Sequence, residues 1–90
     1  MDIHLIVKLK SSYEAWLELF VNDAKNRSKI CNESRTLVGK ANDATAMVTL
    51  FDVDMAAMGA MMEDPAFRKL TEDYVAEHIP YSITSLAPPA

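Results

Sequence analysis

Residues 36–51 read Thr36-Leu37-Val38-Gly39-Lys40-Ala41-Asn42-Asp43-Ala44-Thr45-Ala46-Met47-Val48-Thr49-Leu50-Phe51. Two short runs flank Ala41-Asn42-Asp43-Ala44, whose Asn-Asp pair predicts a turn. The second run, Thr45 to Phe51, is rich in β-branched residues and suits a strand. The link is too short for a crossover helix, so the strands from Thr36 to Ala41 and from Thr45 to Phe51 must pair antiparallel. What lies on each side of this hairpin decides the fold.

Upstream, residues 2–9 alternate. Ile3, Leu5, Val7 and Leu9 take one face and His4, Ile6 and Lys8 the other, the period of a half-buried strand. Ser11-Ser12-Tyr13-Glu14 then forms a capping box. Tyr13, Trp16, Leu17, Phe20 and Ala24 follow at helical spacing, which predicts a helix over about 12–30. Downstream, Asp54 is a helix cap, and Met55, Met58 and Met62 recur at helical spacing. Asp64-Pro65 interrupts that helix, because proline fits a first turn and not an interior. Phe67, Leu70, Tyr74 and His78 share one face of the continuation, so the helix is expected in two parts, about 54–63 and 65–78. Ile79-Pro80 ends it. Tyr81 to Leu86 forms a last strand, with Tyr81 and Ile83 on one face and Ser82 and Thr84 on the other.

The order β-α-β-β-α-β is the ferredoxin-like, split βαβ arrangement, an α+β fold with a four-stranded antiparallel sheet and helices on one face. The expected organisation is a single domain over 1–86 and a short Pro-rich tail at 87–90. At 90 residues, 50% hydrophobic and 24% charged, the chain has apolar surface enough to fold but little to spare. Its single cysteine, Cys31, excludes an internal disulfide and a thiolate zinc cluster. A partner chain is the remaining way to gain core.

Composition also excludes functions. The net charge is -4, and the lysines and arginines are scattered, so no basic face exists for nucleic acid. RNA-recognition modules of this topology stack bases on exposed aromatics of the central strands, where this chain offers only Phe51. Ferredoxins need four cysteines. Acylphosphatases need a phosphate loop after strand one, and Lys10-Ser11-Ser12 is not one. No apolar run of membrane-spanning length and no signal-peptide pattern occurs, so a cytoplasmic protein without membrane association is expected.

The face of the sheet without helices is expected to mix Ile6, Met47, Phe51 and Leu86 with His4, Lys8, Thr49 and Thr84. That is too apolar for water and too polar for a plain core, and a lined cavity in a homodimer would suit it. Ile6, Met47 and Phe51 are the expected dimer contacts.

The element Asp54-Met55-Ala56-Ala57-Met58, followed by Glu63-Asp64-Pro65-Ala66-Phe67-Arg68-Lys69-Leu70, resembles the second helix of the dimeric α+β barrel superfamily. That superfamily includes antibiotic-biosynthesis monooxygenases and stress-responsive barrels. Tyr13-Glu14-Ala15-Trp16 also resembles the first-helix start of small members. The resemblance covers nearly the whole chain and is architectural. It implies a homodimer with two sheets closed face to face and a pocket between sheet and helices in each protomer. It does not imply haem degradation, because Lys69-Leu70-Thr71 stands where that branch has a histidine, and only Met and Ala surround Met61 where it has a tryptophan.

The expected function is the binding or conversion of a small hydrophobic molecule, without metal or other cofactor. The alternative is a non-catalytic, dimeric ligand-sensing or protein-interaction module. His4 and His78 are the candidate catalytic residues, since imidazole titrates near neutrality. Two histidines do not make a zinc site. Lys8, Trp16, Thr49 and Tyr74 are the candidate pocket residues, against the plainer reading of Trp16 as core. Methionines 55, 58, 61 and 62 cannot all face one way on one helix, so some must reach solvent, a pocket or another chain.

Overall fold

The computed structural model describes residues 1–86, and the tail at 87–90 lies outside the described residues. Strand β1 (Asp2–Leu9) leads into helix α1 (Tyr13–Asn22), capped by the Ser12 hydroxyl, which accepts from the Ala15 amide at 3.1 Å. The first helical region is not continuous to residue 30. Asp23 stops α1, a single turn α2 (Ala24–Arg27) follows, and a 3-10 turn covers Glu33–Arg35. Asn26 and Ser28 explain the break, since their side chains bond locally instead of supporting a helix. Asn26 bonds the Asp23 carboxylate at 2.7 Å, and Ser28 the Lys25 carbonyl at 2.6 Å.

Strands β2 (Leu37–Asn42) and β3 (Thr45–Leu50) form the antiparallel hairpin. Asp52 then turns the chain with a positive φ of 56°. Aspartate tolerates this region better than most residues. Its carboxylate accepts from Arg35 at 3.3 Å and Asn32 at 3.4 Å, while its amide donates to Asp2 at 3.1 Å. Helices α3 (Met55–Glu63) and α4 (Pro65–Thr71) meet at Asp64, which ends one and caps the other.

The last strand, β4 (Val75–Ile83), begins six residues before the expected Tyr81. His78 therefore sits on a strand and not on a helix. Pro80 is tolerated within β4 because the strand order β2-β3-β1-β4 makes β4 an edge, where a missing N–H costs nothing. A register shift between Lys8 and Leu9 places Val75 opposite Leu9 and Glu77 opposite Lys8, leaving Ala76 as a bulge. The bulge reverses the expected faces. His78 and Ser82 join Ile3, Leu5 and Val7 on the helix side, while Tyr81 and Ile83 lie on the free side. Thr84 and Leu86 lie beyond the strand.

The faces of β1 and β3 match expectation. Ile3, Leu5, Val7, Ala46, Val48 and Leu50 are buried under the helices with Trp16, Ile30, Val53 and Met58. Met47, Thr49, His4 and Ile6 face the other way. No helix among the described residues is long and apolar enough to cross a membrane.

Candidate functional site

The expected site residues separate onto two faces of the sheet. On the free face, cross-strand neighbours form two rows. One runs Gly39, Met47, Ile6, Ile79, and the next Leu37, Thr49, His4, Tyr81. The His4 Nδ1 lies 3.2 Å from the Thr49 hydroxyl. Lys8 is exposed beside Glu77. Tyr81 is 55% exposed and Ile83 also lies open, so the face presents a broad apolar surface. Phe51 stands apart from it, with the Arg35 guanidinium 4.1 Å above its ring.

The other face holds a cavity. It lies between the sheet and the helices, has a volume of ≈ 70 Å³, and is walled by Leu5, Val7 and Val48 below and by Trp16, Phe20, Met58, Met61 and Met62 above. Trp16 and His78 are the two expected site residues that line it, and Tyr74 packs on the core close by. Three of the four α3 methionines thus serve the cavity, while Met55 remains exposed. Unbranched thioethers suit such a wall, because they reshape at low cost.

Polar groups on the wall are few. Arg27 is buried and fully engaged. Its Nε and Nη2 donate to the two Glu33 carboxylate oxygens at 2.7 Å each, and its Nη1 donates to the Phe20 carbonyl at 2.7 Å. Its guanidinium also stacks 3.6 Å over the Phe20 ring. The Thr71 hydroxyl donates to the Phe67 carbonyl at 3.1 Å. His78 differs from both. Among the described residues, no protein group hydrogen-bonds its ring, and its nearest aromatic is Phe67, 6.0 Å away between centroids. Burial pushes its pKa below the usual 6.5, so the ring is neutral at pH 7. Cys31, half-buried against the Arg27 carbonyl, has its thiol pushed up by burial and stays a thiol. No three His, Cys, Asp or Glu side chains among the described residues come together as a metal site.

The His78 shift carries a stability consequence. A histidine whose folded pKa is depressed binds its proton more weakly than the unfolded chain does. Stability from this group is full above pH 6.5 and falls as pH drops from 6.5 to the folded value, then levels. Replacing His78 by Phe is expected to remove that slope, checked by urea unfolding from about one unit above the ordinary histidine pKa to about one and a half below it. An unchanged slope would place the responsible group elsewhere.

A broader cleft of ≈ 450 Å³ adjoins the cavity between α2 and α4 and shares Asp23, Ile30, Met61, Phe67 and Leu70 with it. The arrangement is an apolar chamber with one unengaged imidazole and a polar-rimmed approach.

No protein-family model matches the sequence, and no curated protein does. Solved structures do. SnoaB, a cofactor-independent oxygenase from Streptomyces nogalater, is similar with a TM-score of 0.65 at 11% identity, over 98% of this chain and 96% of that one. A candidate antibiotic biosynthesis monooxygenase from Deinococcus radiodurans is similar with a TM-score of 0.61 at 16% identity, over 100% of this chain and 99% of that one. The chain shares its α+β fold with these two proteins. At such identities the likeness establishes the shared fold alone, and function has to be argued from the site.

Sequence periodicity missed the location of His78. A period-2 pattern over 75–83 was present, but the bulge at Ala76 breaks its phase and Pro80 disguises it.

Proposed function

We propose that this protein binds a small apolar molecule in the cavity between sheet and helices and offers it His78 as a proton acceptor. The observation that carries this reading is the neutral His78 ring, without a protein hydrogen bond, on the wall of a mainly apolar chamber whose Arg27 and Thr71 are engaged elsewhere. A neutral imidazole can accept a proton from a ligand O–H or activated C–H. Similarity in fold to a cofactor-independent oxygenase supports small-molecule conversion of this general kind.

Trp16, the chain's one tryptophan, lines the same cavity and reports on it directly. Native mass spectrometry of the protein as purified is expected to show a retained small molecule or, failing that, saturable quenching of Trp16 fluorescence by nitrobenzene. Retention is expected to survive in His78→Phe, with turnover lost. A chain that neither retains a molecule nor shows saturable quenching would refute ligand binding at this site.

The same reading includes a homodimer through the free sheet face. The row Met47, Ile6, Ile79 with exposed Tyr81 and Ile83 is the surface a second copy would cover, and it would place the His4–Thr49 pair inside the interface. Phe51, half-covered by Arg35, is a poor probe of it, because an aspartate there would meet that guanidinium. Met47→Asp is the better probe. It would bury an unpaired carboxylate at a cost of about 3 kcal/mol or more and yield the 10.0 kDa monomer in light scattering. A dimer that persists in Met47→Asp would exclude this face.

A further inference from the structure

Three openings meet at one side chain. The interior cavity, the cleft between α2 and α4, and a second cleft of ≈ 310 Å³ on the β4 side of α4 have one lining residue in common among those described, Phe67. Its half-buried ring stands beside His78, which lines both the cavity and the second cleft, whose rim also carries Lys10, Arg68, Glu72 and Glu77. The helix that carries Phe67 is weakly held. Helix α4 has seven residues and buries none of them, and its Leu70 is 43% exposed although it also lines the cavity. At its start, Asp64 is both the last cap of α3 and the first of α4, with a non-helical ψ of 123°, and Pro65 has no N–H to continue the α3 ladder. The two helices are joined by one extended residue and not by continuous hydrogen bonding.

Size makes the consequence concrete. A cavity of ≈ 70 Å³ is less than half the roughly 150 Å³ that accommodates one benzene ring. Small-molecule sites run to about 300 Å³ and above. As it stands, the chamber admits almost nothing, yet clefts on both sides of α4 are larger.

We propose that Phe67 is the gate residue of the cavity, deciding by its position which molecules pass from the flanking clefts to the Trp16 wall, with α4 pivoting at Asp64-Pro65 as its lid. This rests on the ligand-binding reading above but makes a separate claim, that the barrier to entry is this one ring. Apolar molecules of one or two rings would enter by displacing it, and the Trp16 wall would then stack against them.

The test uses nitrobenzene as probe and Trp16 quenching as signal, in stopped flow, on the wild type, Phe67→Ala and Phe67→Leu. In the wild type the observed rate is expected to plateau with probe concentration, because lid opening limits it. In Phe67→Ala it should rise linearly and exceed the wild-type plateau about tenfold or more. Phe67→Leu, which keeps most of the packing, should fall between them and covers the case in which the alanine variant folds poorly. Independently of any ligand, NMR titration of His78 is expected to show its pKa moving up toward 6.5 in Phe67→Ala, as water enters. Equal quenching rates in all three proteins would overturn the gate and leave the ligand site standing. No binding in any of them, with His78 still released toward its ordinary pKa, would retain the gate and overturn the ligand site. An unmoved His78 in the variants would overturn the gate.

Discussion

Arg27→Met is expected to destabilise the protein by about 2–3 kcal/mol, which is a thermal shift of roughly 10–20 °C for a chain of this size. The guanidinium ties α2 to the end of α1 and to the 3-10 turn at Glu33. It accepts no substitute in its three hydrogen bonds, two to Glu33 and one to the Phe20 carbonyl at the end of α1. That carbonyl is one of the last in the helix and has no intrahelical amide to satisfy it beyond the long 3.3 Å contact from Asp23. Methionine keeps the contact with Phe20 but leaves Glu33 with only the Thr36 hydroxyl at 3.1 Å. The estimate sits below the usual cost of breaking a buried ion pair because Glu33 retains 28% side-chain exposure and can be hydrated. Arg27→Lys should recover only part of the loss, since an ammonium cannot make the two-pronged contact. The double variant Arg27→Met, Glu33→Leu should recover more, because no charge is then stranded.

The pH dependence follows from Glu33. The hydrogen bond and charge of Arg27 hold its carboxyl below the ordinary 4.5. Its contribution is full above pH 4.5 and is lost as pH falls through the depressed folded value. The gap between wild type and Arg27→Met in urea unfolding should therefore narrow below about pH 4. A gap constant with pH, or smaller than about 0.5 kcal/mol at neutrality, would show that the pair is ornamental.

Trp16→Ala should cost more, about 3–5 kcal/mol. The indole is 4% exposed and lies between Tyr13, 5.8 Å away, and Phe20, 5.0 Å away, with the cavity on its inner side. Removing it joins an indole-sized void to a chamber that is already partly empty, so little of the loss is offset by collapse. With typical domain stabilities of about 5–15 kcal/mol, the variant should be at the edge of folding at 37 °C. Trp16→Phe should lose roughly 1–2 kcal/mol and keep the fold. Phe67→Ala, by contrast, removes a half-buried ring from a helix that buries nothing, and should cost clearly less than Trp16→Ala in the same urea titration. Equal losses would make Phe67 part of the core and not a gate.

Much of the fold was legible because its signals are local. The helix caps at Ser12 (one residue after the Ser11 that a Ser-x-x-Glu box implies) and at Asp54, the proline break at Asp64-Pro65 and the Asn-Asp turn each depend on a few neighbouring residues. The alternation of Ile3, Leu5 and Val7, and of Ala46, Val48 and Leu50, assigned the buried faces of the two central strands, which are covered along their whole length. The site was less legible. Trp16 was named as a cavity residue, and His78 was named as a candidate but on a helix. His4, Lys8 and Thr49 were named with them and lie across the sheet, outside the cavity. Phe67 was read as one of a helical stripe and as part of the Asp64-Pro65-Ala66-Phe67 element, since no pattern in sequence marks a ring that borders three openings.

The sequence by itself determined the element order, the antiparallel hairpin at the centre and which side of β1 and β3 is apolar. Those are properties of periodicity over ten residues or fewer. The tertiary structure decided where His78 points. That depended on β4 lying at the sheet edge, which admits Pro80, and on a bulge at Ala76 that shifts the phase of the strand. Both are set by which neighbour a strand pairs with, and pairing partners 71 residues apart, such as Val7 and His78, leave no local trace in the chain.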